Sequence, residues 1–319
     1  MELADQAKRN AYAGFFCWFA ALFLQLDDSP STDLIEKVIL FGVFVVVPLG
    51  LSLTAQTKSD SRFFVLSIRL QPFAAVTAAL SLLLETGLVA AILAGLTLVF
   101  HLLVALSGLS RLLSRGVRPI AELSLDAGLI YLPVAGFWLV VYRLGIQPFA
   151  FSETIILLTV VHFHFAGFAT PIVAGMTGRF LSSSSRLDPP LKVVIIAIIA
   201  SMPLVALGIT FFPLLALIGA VILTVGTTVL AVITLGWVQP LMPTVLTRIG
   251  LIVSSLANFA AMVMACLYAY RIAGKILIFD IPTMARFHGL LNAFGFVACS
   301  LMVWSVITPE GAAHKDMIR

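Results

Sequence analysis

The chain has 319 residues, 61% of them hydrophobic and only 11% charged, with a formal net charge of +4 and a mean hydropathy of +1.12. Soluble domains average about 45–50% apolar and about 25% charged residues, so there is too little polar surface to clothe a water-facing body. Lipid must solvate most of the chain, and the basic excess reads as an orientation signal rather than an affinity for nucleic acid.

A bilayer core of about 30 Å takes roughly 17–25 apolar residues per helix, because backbone amides in hydrocarbon must be satisfied within their own segment. Ten such stretches are predicted, near residues 11–26, 38–55, 66–84, 87–108, 122–142, 154–175, 191–209, 213–236, 246–270 and 286–307. The first follows Lys8 and Arg9 as a signal peptide would. Leu26-Asp27-Asp28 offers no small-residue cleavage site, so a retained helix is expected. Pro48 and Gly50 predict a bend in the second span. Residues 57–70 mix Lys58, Arg62 and Arg69 with Phe63, Phe64 and Leu66, which suits an amphipathic entry along the interface into the third. The expected fold is an all-α polytopic transmembrane bundle, a single domain over residues 1–319. The run from Ser182 to Pro190 predicts a flexible loop.

Sorting the nineteen Lys and Arg onto alternate sides of these spans puts fourteen on one side, Arg111, Arg115, Arg118 and Arg179 among them, and five on the other, including Lys37 and Arg143. Positive residues stay cytoplasmic, so both termini are predicted to lie inside. Cys17, Cys266 and Cys299 fall in apolar runs without ligand spacing and suit packing rather than a disulfide or a metal site.

Function must then lie in the few polar groups within helices, where each asks for a partner. Val161 to Pro171, VHFHFAGFATP, places two imidazoles in the sixth span. At about 100° per residue, His162 and His164 point about 200° apart and cannot chelate one metal from a regular helix. The same projection gathers Phe168, Val161, Ile172, Phe165 and Leu158 on a lipid-facing arc, burying both histidines beside Gly167, Pro171 and Gly175. In the tenth span His288, Asn292, Gly295 and Cys299 project together, opposite Leu290, Phe294, Phe287 and Leu301. His162, Asn292 and, beside them, His164 and His288 form an expected outer-half cluster. Glu122 and Asp126, four apart on the fifth span, fall near its inner end, where pairing with Arg115 or Arg118 is the simple reading. His101, about 7 residues from the inner end of the fourth span, falls between the two levels. Together these groups outline a broken proton path.

The runs HFHFAGFATP at 162–171, ELSLDAGLIYLP at 122–133 and MARFHGLLNAFGF at 284–296 resemble those of the YndJ-like bacterial membrane proteins. The resemblance implies a polytopic protein of the bacterial cytoplasmic membrane, sometimes labelled transporter-like, and highlights His162, His164, Gly167, Glu122, Asp126, His288 and Asn292 without assigning their chemistry. The leading expectation is a transporter for a small molecule or proton-coupled solute. The alternative is a membrane-embedded enzyme acting on a lipid or isoprenoid-like substrate, with His162 or His164 as acid/base. A variant of it holds haem or a metal between His162 or His164 and His288 or His101. A non-catalytic scaffold is the third reading. Nucleophile elbow, P-loop and dinucleotide fingerprints are absent from the sequence.

Overall fold

The computed structural model describes residues 2–55, 61–182, 188–274 and 279–307. These residues build an all-α bundle of ten long helices, joined by short connections. They are α1 (Glu2–Ala21), α2 (Pro30–Thr54), α3 (Arg62–Leu83), α4 (Leu88–Arg115) and α5 (Ile120–Arg143), followed by α6 (Glu153–Phe180), α7 (Asp188–Phe211), α8 (Pro213–Leu241), α9 (Val245–Gly274) and α10 (Ile281–Val306). Nine of them, α2 to α10, are long and apolar enough to cross a membrane among the described residues. The exception is α1, which begins nine residues before the expected span and carries Glu2, Asp5, Lys8 and Arg9 in its first turns. It nevertheless packs along α2 and α3.

The expected amphipathic entry to the third span is part of a continuous helix. Ser61 caps α3 by accepting from the Phe64 N–H at 3.2 Å, and Phe64 and Ile68 are buried at once. Residues 56–60, including Lys58, lie outside the described residues. The most buried span is α2; α4 and α5 pack along one another, as do α7 and α8.

Proline shapes the bundle through the carbonyl it leaves unpaired four residues upstream. Polar side chains from neighbouring helices fill several of these. Pro72 frees the Ile68 carbonyl, which accepts from Asn10 Nδ2 at 3.0 Å. Pro203 frees that of Ile199, which accepts from the Tyr131 hydroxyl at 2.9 Å. Pro48 frees that of Phe44, and α1 closes on it: a Cβ on Gly14 would stand 2.0 Å from this oxygen, so only glycine permits the approach. Hydrocarbon offers no water to do the same, and helix packing satisfies the kinks instead.

Wider π-helical turns interrupt α2 at Gly42–Val46, α6 at Phe163–Ala169, α8 at Thr234–Val238 and α10 at Ala285–Gly289 and Leu291–Ala298. Such turns cluster at functional sites and shift every later residue to a new face. Those of α2 and α6 touch one another, as do those of α6 and α10. Trp18, Phe41, Phe165 and Phe294 interlock beside them, with Phe41 and Phe294 at 4.6 Å between centroids.

Candidate functional site

Three levels of buried polar groups are stacked along the bundle. At the middle level, His101 of α4 and His164 of α6 meet edge to face, ring centroids 5.2 Å apart and planes at 70°. Both are 0% exposed. His164 Nδ1 lies 2.9 Å from the Val160 carbonyl; a carbonyl only accepts, so Nδ1 carries the proton and Nε2 is left basic. That Nε2 and both ring nitrogens of His101 have no hydrogen-bond partner. Glycines make room for the rings. A Cβ on Gly136 would stand 2.7 Å from His101 Nδ1, and one on Gly42 would stand 3.2 Å from the His164 ring. An unpartnered buried polar group costs about 1–3 kcal/mol, so three together mark a place where something other than stability is being served. Rings this close leave no room for a haem plane between them.

At one end of the bundle, α2, α4, α5 and α6 are tied by charge. Arg111 donates through Nε to Asp126 Oδ1 at 2.7 Å, through Nη2 to Glu122 Oε2 at 2.9 Å and through Nη1 to the Thr54 carbonyl at 2.6 Å. Arg115 reaches Asp126 Oδ2 at 2.5 Å. Arg179 grips Glu122 with Nε at 2.6 Å and Nη2 at 2.9 Å, and donates to the Leu53 carbonyl at 2.7 Å. Asp126 is 0% exposed. At the opposite end, buried Glu36 accepts from the Tyr142 hydroxyl at 3.0 Å, with its other oxygen unpartnered. Arg143 lies 5.3 Å from the Tyr142 ring centroid and donates to the Leu84 carbonyl.

A second pair of histidines lies away from this axis. His162 is exposed and ties Nδ1 to the Leu158 carbonyl at 2.6 Å. His288 ties Nδ1 to the Ala261 carbonyl at 2.8 Å. Asn292 Nδ2 donates to the His288 carbonyl at 3.0 Å and stands 3.2 Å from His288 Nε2.

The expected outer-half cluster is therefore two sites. His288 and Asn292 come together; His164 joins His101 instead, and His162 lies on an exposed face of α6. The expected lipid-facing arc of the sixth span is also overturned, since Phe165, Phe168 and Ile172 are buried while His162 is exposed. A projection at constant angle cannot survive the π turn that begins at Phe163. For the same reason Leu301 is fully buried, whereas Cys299 and Gly295 are half-buried. His101 sits at the midpoint of its helix because α4 runs on to Arg115. Asp126 pairs with Arg115 as expected but also with Arg111, and Glu122 with Arg111 and Arg179; the Arg118 carbonyl serves only to accept from Arg115 at 3.2 Å.

Of the expected packing residues, Gly175 abuts the Ala121 carbonyl, where a Cβ would stand at 2.8 Å, and Gly295 abuts Ala257 at 2.4 Å. Gly167 lies against the Phe163 ring of its own helix. The Pro171 carbonyl accepts from Ser124 Oγ at 2.7 Å. Sequence reasoning missed Glu36, Arg111 and Arg179. Ser29-Pro30 is a helix-start signal that would have set Glu36 inside α2.

The family model described as YndJ-like protein matches residues 37–296. The uncharacterized membrane protein YndJ of Bacillus subtilis (strain 168) is 29% identical over 308 residues, 94% of this chain and 53% of that protein. The chain thus spans about half the length of the curated relative it matches. No solved structure matches it.

Proposed function

The chain belongs to the YndJ-like family, and we propose that it is a proton-coupled membrane transporter whose proton-binding centre is the buried pair His101 and His164. The observation that carries this reading is the set of three unpartnered ring nitrogens at mid-bundle, between the Glu36–Tyr142 level and the Asp126–Glu122 level. Along α5, Tyr142 stands six residues and Asp126 ten residues from Gly136, which packs on His101. At about 1.5 Å per residue the intervals are about 9 Å and about 15 Å. Neither is a single proton hop, so each end must approach the pair by way of water or a helix movement.

Imidazole suits the task because its charge changes near neutral pH. The free Nε2 of His164 is the base that takes the proton, and the adjacent His101 ring can share or pass it. A proton there puts a charge into hydrocarbon, which is costly unless a counter-charge comes near. The π turns of α2 and α6 hold Gly42 and His164 in contact, which makes these turns the places where such a charge would be felt first. Movement at them would open one end while the Arg111–Glu122–Asp126–Arg179 network holds the other. With α1, which packs along α2 and α3, counted as a tenth crossing, the distribution of basic residues supports placement in the bacterial cytoplasmic membrane with both termini inside.

The test is proton flux into proteoliposomes carrying a pH dye under an imposed potential. Wild-type protein acidifies the lumen, and His164→Gln and His101→Gln each remove most of the flux while leaving the protein folded by its near-ultraviolet spectrum. Flux unaltered in both variants would contradict the proposal.

A further inference from the structure

Gln71 of α3 is buried and gives an amide hydrogen to another helix: Nε2 donates to the Val43 carbonyl of α2 at 2.9 Å. Val43 lies in the π turn Gly42–Val46, where the Val47 N–H bonds back to the Gly42 carbonyl. Pro48, next in line, carries no N–H. The Val43 carbonyl therefore finds no donor in its own helix, and Gln71 supplies one from the side. Gly42, adjacent in the chain, is the seat of the His164 ring, where a Cβ would stand at 3.2 Å. Contact thus runs from Gln71 through two residues of α2 to the imidazole.

The seam between α3 and α4 sets Gln71 level with His101 as well. Thr97 of α4 donates to the Ala74 carbonyl of α3 at 3.1 Å. Gln71 is three residues from Ala74 and His101 four residues from Thr97, in the same direction along these antiparallel helices, about 4.5 Å and about 6 Å. The amide's oxygen, Oε1, is buried and has no hydrogen-bond partner. Three side-chain oxygens among the described residues are in that condition. Glu36 Oε2 lies at one end of the bundle, and Asn258 Oδ1 belongs to an amide tied to α8 through the Thr227 carbonyl. Gln71 Oε1 is the one at the level of the histidines.

A proton taken by His164 Nε2 turns an acceptor into a donor, and a buried N–H without an acceptor is costly. The charged and titratable side chains of the surrounding helices stand off from this level or are engaged elsewhere. Glu36 lies six residues from Gly42, Arg111 ten from His101, and Tyr142 and Asp126 six and ten from Gly136. Arg69 and His162 are exposed, Lys192 is in the first turns of α7, and His288 is tied to the Ala261 carbonyl. Resting on the reading of His101 and His164 as the proton centre, we infer that Gln71 is its positioning residue. Nε2 holds the α2 π turn under His164, and Oε1 is the acceptor toward which the protonated pair turns its N–H.

The test follows the imidazoles themselves, by nitrogen NMR of the histidine-labelled full chain in nanodiscs titrated across the histidine range. Gln71→Met, which keeps the shape and removes both polar atoms, should lower the pair's proton affinity about three- to tenfold, as loss of one hydrogen bond does. Gln71→Glu, which sets a carboxylate there, should raise it about tenfold or more. A merely structural role would move neither, or both in one direction. Hydrogen exchange of the amides of residues 42–47 reads the clamp separately, and should quicken in Gln71→Met while α5 stays protected. Neither imidazole taking a proton in wild-type protein would sink the proton reading and this inference together. Proton affinities unmoved in both variants, shifts of one sign, or unchanged exchange at 42–47 in Gln71→Met would overturn this inference alone.

Discussion

Removing Asp126 is the sharpest perturbation of the bundle's charged end. Its carboxylate is 0% exposed and accepts from Arg111 Nε at 2.7 Å and from Arg115 Nη2 at 2.5 Å. Three guanidinium groups face two carboxylates here, an excess of one positive charge already eased by the Leu53 and Thr54 carbonyls at the end of α2. Asp126→Ala raises the excess to two and leaves the Nε of Arg111, which is 6% exposed, without its acceptor, while Glu122 and the Thr54 carbonyl still hold the other two nitrogens. Breaking one partner from a buried pair costs about 3–5 kcal/mol, whereas an exposed pair is worth about 0–1 kcal/mol. Arg115, with its partly exposed side chain, can turn outward, which places the expected loss near the lower figure, about 3 kcal/mol. Equilibrium unfolding in mixed micelles reads this directly. The double variant Asp126→Ala with Arg111→Leu should recover much of the loss, because the uncompensated charge has gone with its partner. A loss below about 1 kcal/mol in the single variant, or a double variant no better than additive, would refute the view that α2, α4, α5 and α6 are locked together at this end.

Other positions give equally direct outcomes. Tyr131→Phe leaves the Ile199 carbonyl without its hydroxyl partner and should cost about 1–3 kcal/mol in thermal unfolding; adding Pro203→Ala returns that carbonyl to its helix and should recover most of it. Gly14→Val cannot coexist with the present seat of α1, where a Cβ would meet the Phe44 oxygen at 2.0 Å. It should speed proteolysis within residues 2–21 while leaving digestion of the later helices unchanged. Gly136→Ala places a methyl 2.7 Å from His101 Nδ1 and should cost about 1–3 kcal/mol by overpacking, with proton flux lost even where the variant still folds.

How much of this could be read from the sequence depended on what each signal was made of. Span number and class follow from bulk hydropathy, which counts residues and ignores their direction. Helix ends were harder. The fourth span was expected to stop at 108 because Arg111 and Arg115 look like loop residues, yet the helix keeps them by pairing with Asp126 and Glu122. That same error displaced His101 from mid-bundle. Facing directions failed where the helical period itself changed. The regular helical projection buries both His162 and His164 and turns Phe165, Phe168 and Ile172 to lipid, whereas the π turn from Phe163 leaves His162 exposed and turns those three inward. Pairing of His101 with His164 joins α4 to α6, a contact that depends on Gly42 and Gly136 in two other helices. No local pattern encodes it.

The account rests most heavily on the pair at mid-bundle accepting protons. Charge displacement on a solid-supported membrane after a pH jump measures this without naming a solute. The account predicts a transient current in wild-type protein and in His162→Ala, and none in His101→Gln or His164→Gln. Equal currents in all four, or a current lost only with His162, would contradict it.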